Sequence, residues 1–256
     1  MGEGGRISWG RLILGVALAL SVASAVALLI GPLAANSLAG GSSYRIWDDS
    51  MAPALITGDW VLAEKLSSGR LPERGAIVVY DAPTSGMRHE RIMRLIGLPG
   101  ERIQMRGGAV YIDGQRADME QIGTRTIEKA PPGRGAPLPH CLNDPVEIYG
   151  DCRQELWRET LPDGTSQVVI NSRHQIGLAR LSGGDDGDDT AMFTVPKGYI
   201  FVMGDNRDQA VDSRSRRHGM VPVENLRYRV WLVHTSLDRT ARLPYPRWTR
   251  FFLKVH

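Results

Sequence analysis

Residues 199–214 carry the pattern that most clearly indicates the fold. A β-prone run, Tyr-Ile-Phe-Val-Met at 199–203, leads into Gly-Asp-Asn-Arg-Asp at 204–208. Asp-Ser-Arg follows at 212–214. A short aliphatic and aromatic run closed by Gly and Asp is typical of a strand that enters a tight turn. Similar runs recur over 60–112 and at 228–233, without long helical periodicity. The sequence therefore predicts a mostly β protein whose antiparallel strands form a coiled, partly open barrel.

The one long apolar segment lies at the N-terminus. Residues 12–33 contain no charged side chain, and 22 residues in a helix span roughly 30 Å, the thickness of a bilayer core. Because Arg6 and Arg11 flank its start, we expect a cytoplasmic tail at 1–11, a single-pass anchor at 12–35 and an exported main domain. The alternative is a secretory signal cleaved near residues 34–39, although such signals have shorter apolar cores.

Composition limits the partners. The net charge is +3 and no basic patch is interleaved with aromatic residues, so we do not expect nucleic acid to bind. The mild basicity instead suits an anionic membrane surface. The last segment, residues 239–256, mixes aromatic and cationic side chains, which fits either a membrane interface or a tail docked on the domain.

Residues 117–190 differ in character from the β-prone segments on either side. They include Ala-Pro-Pro-Gly at 130–133 and an acidic run at 185–189, and we expect an inserted lobe between core segments 42–116 and 191–238. Cys141 and Cys152 lie in this lobe, where an oxidising compartment favours a disulfide over two free thiols. One cysteine pair is no zinc site, and the acidic run lacks calcium-loop spacing, so we expect no metal or cofactor.

Four further motifs accompany the 204–214 segment. They are Ser-Met-Ala-Pro at 50–53, Arg-Gly-Ala-Ile-Val-Val-Tyr at 74–80, Arg-Leu-Ile-Gly-Leu-Pro-Gly-Glu at 94–101 and Gly-Met-Val-Pro at 219–222. In this order the chain resembles the type I signal peptidases, in which a Ser-Met-x-Pro box supplies the nucleophile. That family continues with Arg-Gly-Asp-Ile-Val-Val, Lys-Arg-x-x-Gly-Leu-Pro-Gly-Asp and Gly-Asp-Asn-Arg-Asp…Asp-Ser-Arg boxes.

The resemblance implies a membrane-bound serine endopeptidase of the Ser/Lys dyad class. Such an enzyme removes signal peptides from exported preproteins on the outer, periplasmic face of the cytoplasmic membrane. Its implied partners are signal peptides, the lipid bilayer and, as a further candidate, the secretion machinery. The substrate is expected to lie extended, adding a strand, with small residues at −1 and −3. Carried over to this chain, Ser50 is the nucleophile, and two ion pairs support it: Arg94 with Asp205, and Asp212 with Arg214.

Three of the departures from the family pattern concern the chemistry. Met93 stands where the family has its general-base lysine, and methionine has no titratable group. Ala210 replaces the serine that hydrogen-bonds that lysine. Asp48, two residues before Ser50, puts a carboxylate where an oxyanion would develop. The alternative function is therefore a pseudopeptidase that binds extended peptides or partner proteins without cutting them.

Three side chains are candidates for a replacement base. His89 has a suitable pKa but lies four residues upstream of Met93, about 13 Å along a strand. Lys65 belongs to another strand, where a solvated side chain is the simpler interpretation. His218, after the last motif, is the strongest of the three. A working peptidase with a rewired base thus stays open as a hypothesis.

Overall fold

The computed structural model describes residues 18, 21, 27, 30–67, 70–83, 89–130, 138–172, 187–238 and 244–255. Within this part of the chain, sixteen strands pair antiparallel into three sheets. Two 3-10 turns, Val223–Asn225 and Trp248–Arg250, complete the regular structure, together with helical residues 30–38. The strands are β1 (Ser42–Arg45), β2 (Asp59–Lys65), β3 (Ile77–Asp81), β4 (Glu90–Gly97), β5 (Arg102–Arg106), β6 (Ala109–Ile112), β7 (Gln115–Arg116), β8 (Asp118–Glu128), β9 (Asp151–Thr160), β10 (Ser166–Ile170), β11 (Phe193–Thr194), β12 (Tyr199–Met203), β13 (Val221–Pro222), β14 (Leu226–Asp238), β15 (Tyr245–Pro246) and β16 (Leu253–Lys254).

The largest sheet carries the candidate site. Its strand order is β1-β2-β14-β3-β4-β12-β13, and β15 and β16 also pair with β14. β3 is a run of β-branched and aromatic residues whose first four side chains are buried, as expected for a strand covered on both faces. β1 and β13 lie at opposite ends of the order, so these strands form an open sheet and not a closed barrel. The mostly β expectation is confirmed.

Two smaller sheets lie beside the large one. One has the order β11-β5-β6-β7 and shares a second hydrophobic core with β12 through Ile103, Val110 and Phe201. The other, β10-β9-β8, comes from residues 118–170 and includes the disulfide between Cys141 and Cys152, whose Cα atoms are 4.9 Å apart. The boundaries 117–190 for an inserted lobe stay a prediction, as do the core segments 42–116 and 191–238.

The sequence predicts a membrane anchor at the N-terminus and, for residues 239–256, either a membrane interface or a docked tail. The anchor at 12–35 falls mostly outside the described residues, and none of the helical residues that are described forms a helix long and apolar enough to cross a bilayer. At the other end, residues 244–255 are docked on the domain. Arg250 pairs there with the fully buried Asp59, and the side chain of Val255 enters the main core.

Candidate active site

Ser50 lies in a braced turn between β1 and β2. The Asp49 carboxylate accepts hydrogen bonds from the Thr57 amide at 2.9 Å and from the Thr57 hydroxyl at 3.0 Å. The Leu55 amide donates to the Met51 carbonyl at 2.8 Å, and both side chains are buried. The turn is therefore tied down on both sides of Ser50, which is half-buried on the wall of a groove.

Asp48 is not a free carboxylate. Its Oδ1 accepts a hydrogen bond from the Ser50 backbone N–H at 2.9 Å. In serine hydrolases the backbone N–H of the nucleophile is a common donor to the oxyanion of the tetrahedral intermediate. Here that donor is already engaged by a negatively charged group that also repels an oxyanion. Asp48 therefore opposes acyl transfer in two ways, of which sequence reasoning anticipated only the repulsion.

Met93 and Ala210 meet the Ser50 turn at Gly204. The Ser50 carbonyl accepts the Asn206 N–H at 3.0 Å, which fixes the turn against the 204–210 loop. A Cβ built on Gly204 would lie 2.5 Å from the Ser50 carbonyl oxygen and 2.3 Å from the Ala210 Cβ. The same Cβ would lie 3.4 Å from the Met93 sulfur, and Met93 is only 2% exposed. Only glycine fits here, and the site is closely packed and largely apolar.

Among the described residues, Met93 and Ala210 offer the Ser50 hydroxyl no proton acceptor, and the neighbouring Asp48 carboxylate binds the Ser50 backbone amide. None of the hydrogen bonds found among the described residues involves that hydroxyl, although its own amide is bonded. The side chains at 93 and 210 are a thioether and a methyl group, which take up no proton at neutral pH. A serine hydroxyl needs such an acceptor before it attacks a carbonyl.

His218, the strongest replacement candidate from the sequence, is engaged elsewhere. Its Nδ1 lies 2.8 Å from the Gly219 carbonyl, which only accepts, so this nitrogen carries the proton. Its Nε2 then accepts a hydrogen bond from the buried Tyr80 hydroxyl at 2.7 Å. Burial lowers the pKa of His218 and raises the pKa of Tyr80, so both stay neutral. Both ring nitrogens thus have partners other than Ser50.

The other two candidates lie at different places. Lys65 is exposed at the end of β2, opposite Tyr228 of β14, and no lysine is among the described residues that line the groove. His89 does line the groove with Ser50, but it is exposed and precedes β4. Of the three candidates, His89 is the one that lines the same groove as Ser50.

The supporting ion pairs expected from the sequence are present. Arg94 contacts both oxygens of Asp205 at 2.7 Å and donates to the Gly75 carbonyl at 2.6 Å. Asp212 pairs with Arg214 and accepts the Gly204 N–H at 3.0 Å. Burial opposes ionisation of Asp212, but the Arg214 guanidinium outweighs it and holds the Asp212 pKa below its usual range. The scaffold of the site is therefore intact around a changed centre.

Sequence reasoning missed a third buried ion pair. Arg207 and Glu159 contact each other through both guanidinium Nη atoms, one at 2.8 Å, and neither side chain has exposed surface. Arg207 also donates to the Gly204 carbonyl at 3.1 Å. The two partners are separated by 48 positions, so no local pattern indicates the pairing. The pair ties β9 to the loop behind Ser50.

The groove beside Ser50 is bounded by two strand edges that have no strand partner among the described residues. Within that part of the chain, β1 pairs only with β2, while β4 pairs with β3 along its first half and with β12 only from Arg94 onward. Residues of both edges, including Tyr44 and Ile92, line a groove of about 1170 Å³. Free N–H and C=O groups at such edges are a template for an added strand. The groove therefore suits an extended peptide.

Comparison with known proteins shows the family of this chain. Residues 15–234 match the model of the signal peptidase family, peptidase S26. The chain belongs to this family. Signal peptidase I of Rickettsia akari (strain Hartford) is 30% identical over 71% of this chain and 66% of the relative's length. Signal peptidase I of Rickettsia canadensis (strain McKiel) is 34% identical, over 71% of this chain and 67% of the relative. The match thus spans just under two thirds of the Rickettsia akari protein.

A solved signal peptidase I structure from Enterococcus faecalis V583 is also similar. It is 22% identical and covers 62% of this chain and 96% of its own, with a TM-score of 0.29. Superposition at that level is too loose to compare site geometry. Membership of the family rests on the match over residues 15–234 and on the curated relatives.

Proposed function

We propose that this chain is a pseudopeptidase of the signal peptidase family, which binds extended peptides in the groove beside Ser50 without cutting them. The observation that carries the proposal is the convergence of Ser50, Met93 and Ala210 on Gly204. Family members need a buried lysine there, made basic by desolvation. A thioether and a methyl group supply no base, and Asp48 occupies the Ser50 amide.

The ligands are proposed by family membership and by the groove. Signal peptides of exported preproteins are the first candidates, bound as an added strand between the β1 and β4 edges. The uncharged segment 12–33 would anchor the protein in the cytoplasmic membrane, N-terminus inside, with the groove on the periplasmic side. The lipid bilayer and the secretion machinery are then its natural surroundings.

A second candidate function is a working signal peptidase, a serine endopeptidase that removes those signal peptides. The observation that favours it is His89, a titratable nitrogen on the same groove as Ser50. Imidazole has a suitable pKa for a general base at neutral pH. This function requires His89 to approach Ser50 when a substrate binds.

One experiment separates the two. The detergent-solubilised full chain is incubated with a purified preprotein, and both retention and cleavage are measured for the wild type, Ser50→Ala and His89→Gln. We expect saturable binding, no cleavage, and similar affinities for all three proteins. Cleavage lost in Ser50→Ala and in His89→Gln would establish the second function. Absence of binding by every protein would reject both.

A further inference from the structure

The acidic side chains of the groove are already satisfied by the protein. The Asp48 carboxylate accepts the Ser50 amide, and the Asp81 carboxylate accepts two hydrogen bonds from Arg227, at 3.0 and 2.5 Å. The Glu90 carboxylate accepts a hydrogen bond from the Tyr44 hydroxyl at 3.1 Å, which links β1 to β4. Each of these three carboxylates thus has a hydrogen-bond partner within the molecule, and Asp81 has an opposite charge as well.

Among the three arginine side chains that line the groove, Arg91 differs from the other two in its contacts. Arg227 is paired with Asp81, and the Arg45 guanidinium stacks 3.8 Å above the Trp47 ring. Arg91 is exposed on the groove, and its side chain has neither an ion pair nor a hydrogen bond within the part of the chain that the structure describes. The adjoining segment 84–88 contains no aspartate or glutamate that would pair with it.

The position of Arg91 relates it directly to Ser50. In the β3–β4 register, Arg91 lies opposite Tyr80 and Met93 lies opposite Val78. Residues two apart on a strand share a face and are separated by roughly 7 Å. Arg91 is therefore on the same face of β4 as Met93. The two residues are one side-chain repeat apart along the edge of β4 that lines the groove.

We propose that the groove selects extended peptides that carry an aspartate or glutamate side chain opposite Arg91, two residues from the ligand residue that faces Ser50. This inference rests on the proposed peptide binding and adds the chemistry of the ligand. A guanidinium presents a planar fork that matches a carboxylate bidentately. In an added strand, alternate ligand side chains face the groove, so residues two apart meet Ser50 and Arg91.

The test compares two fluorescent peptides in a polarisation assay with the detergent-solubilised full chain. Both are blocked at the ends and built of alanine and threonine, and they differ only by glutamate or glutamine at the centre. Three proteins are measured: wild type, Arg91→Gln, and the matched control Arg153→Gln, which removes an exposed arginine outside the groove. Thermal melting checks that the variants are folded.

We expect the wild type and Arg153→Gln to bind the glutamate peptide about tenfold more tightly than the glutamine peptide. Arg91→Gln should bind both peptides equally, with the affinity of the wild type for the glutamine peptide. Equal affinities in the wild type, or a preference that survives in Arg91→Gln, would overturn the acidic selectivity while leaving peptide binding intact. If neither peptide binds any of the proteins, the proposed function fails as well.

The spacing along the ligand is measured by disulfide trapping. The Ser50→Cys variant is incubated with a set of glutamate peptides. Each peptide carries one cysteine, placed one or two residues before or after the glutamate. Cross-linking should be several-fold faster at a spacing of two. Equal rates at both spacings would show that Arg91 and Ser50 do not share one face of the ligand strand.

Discussion

At the residue scale, the proposed loss of catalysis rests on Asp48, Met93 and Ala210, which surround the Ser50 turn. Met93 fills its position as a buried hydrophobic side chain and packs in the main core with Met51 and Leu95. The flexible Met93 side chain fills this position without adding a polar group, although Asn206 Oδ1 in the adjoining loop is a buried oxygen with no hydrogen-bond partner among the described residues. Met93 thus suits an apolar core position, as the proposed pseudopeptidase requires.

Restoring the three polar groups is expected to create peptidase activity. The variant Met93→Lys, Ala210→Ser, Asp48→Ser should cleave a preprotein that the wild type leaves intact, because loss of a general base costs about 10⁴–10⁶ in rate. Cleavage is followed by gel mobility, and adding Ser50→Ala to this variant is the control. If the restored protein is folded and still inactive, a further defect in the site must be sought.

A second residue-scale prediction concerns Asp208. Burial raises the pKa of its carboxyl to about 7, well above the value of about 3.9 in an unfolded chain. The folded state therefore binds more protons than the unfolded state between these values, and this group's contribution to stability falls as pH rises towards and through 7. Asp208→Asn should remove that part of the pH dependence of Tm between pH 5.5 and 8. The exposed Asp151→Asn is the control, and an unchanged slope in Asp208→Asn would contradict the assignment.

At the element scale, the loop 204–210 is held from both sides. Asn206 binds the Ser50 turn, and Gln209 donates to the Leu138 carbonyl at 2.8 Å, three residues before the disulfide cysteine Cys141. Arg207 joins the same loop to β9 through Glu159. The geometry behind Ser50 thus depends on strands far away in the sequence.

Breaking the buried Arg207–Glu159 pair should destabilise the protein strongly. Glu159→Gln leaves a buried guanidinium without its counter-charge, which typically costs about 3–5 kcal/mol. The double variant Glu159→Leu, Arg207→Met should recover most of the lost stability, since both charges of this pair are then removed. Denaturant unfolding measures both. The exposed pair of Glu120 with Arg158 on the neighbouring strands is the control, and Glu120→Gln should have little effect. Equal effects of Glu159→Gln and Glu120→Gln would be evidence against a tightly buried pair.

At the scale of the whole molecule, the C-terminal segment braces the turn that carries Ser50. Arg250 contacts both oxygens of Asp59, at 3.0 and 2.5 Å, and donates to the Ala54 carbonyl at 2.8 Å. Arg247 donates to the Thr57 carbonyl at 2.9 Å. Hydrogen bonds therefore join the C-terminal segment to the Ser50 turn, although the two are almost 200 positions apart in the sequence.

Removing the Arg250 guanidinium should destabilise the contact between the C-terminal segment and the Ser50 turn. Arg250→Met leaves Asp59, which has no exposed surface, without its counter-ion, and we expect a loss of about 3 kcal/mol or more in unfolding free energy. Hydrogen exchange should rise across residues 50–59. The control is Lys254→Met, an exposed cation of the same segment. Unchanged exchange at 50–59 would mean that the segment does not support the turn.

The amino-acid sequence was enough to predict the mostly β class, the family, and the ion pairs of Arg94 with Asp205 and of Asp212 with Arg214. It also pointed to Ser50 and Met93 as the positions on which the proposed function depends. These follow from local patterns and from motif order, which survive in a linear chain. The folded arrangement was needed to show that Asp48 binds the Ser50 amide, that His218 is engaged by Tyr80, that Glu159 pairs with Arg207, and that Arg91 is exposed on the groove. Each of these depends on side-chain direction or on residues distant in sequence, and alternation along a strand leaves both unspecified until the register of its neighbours is set.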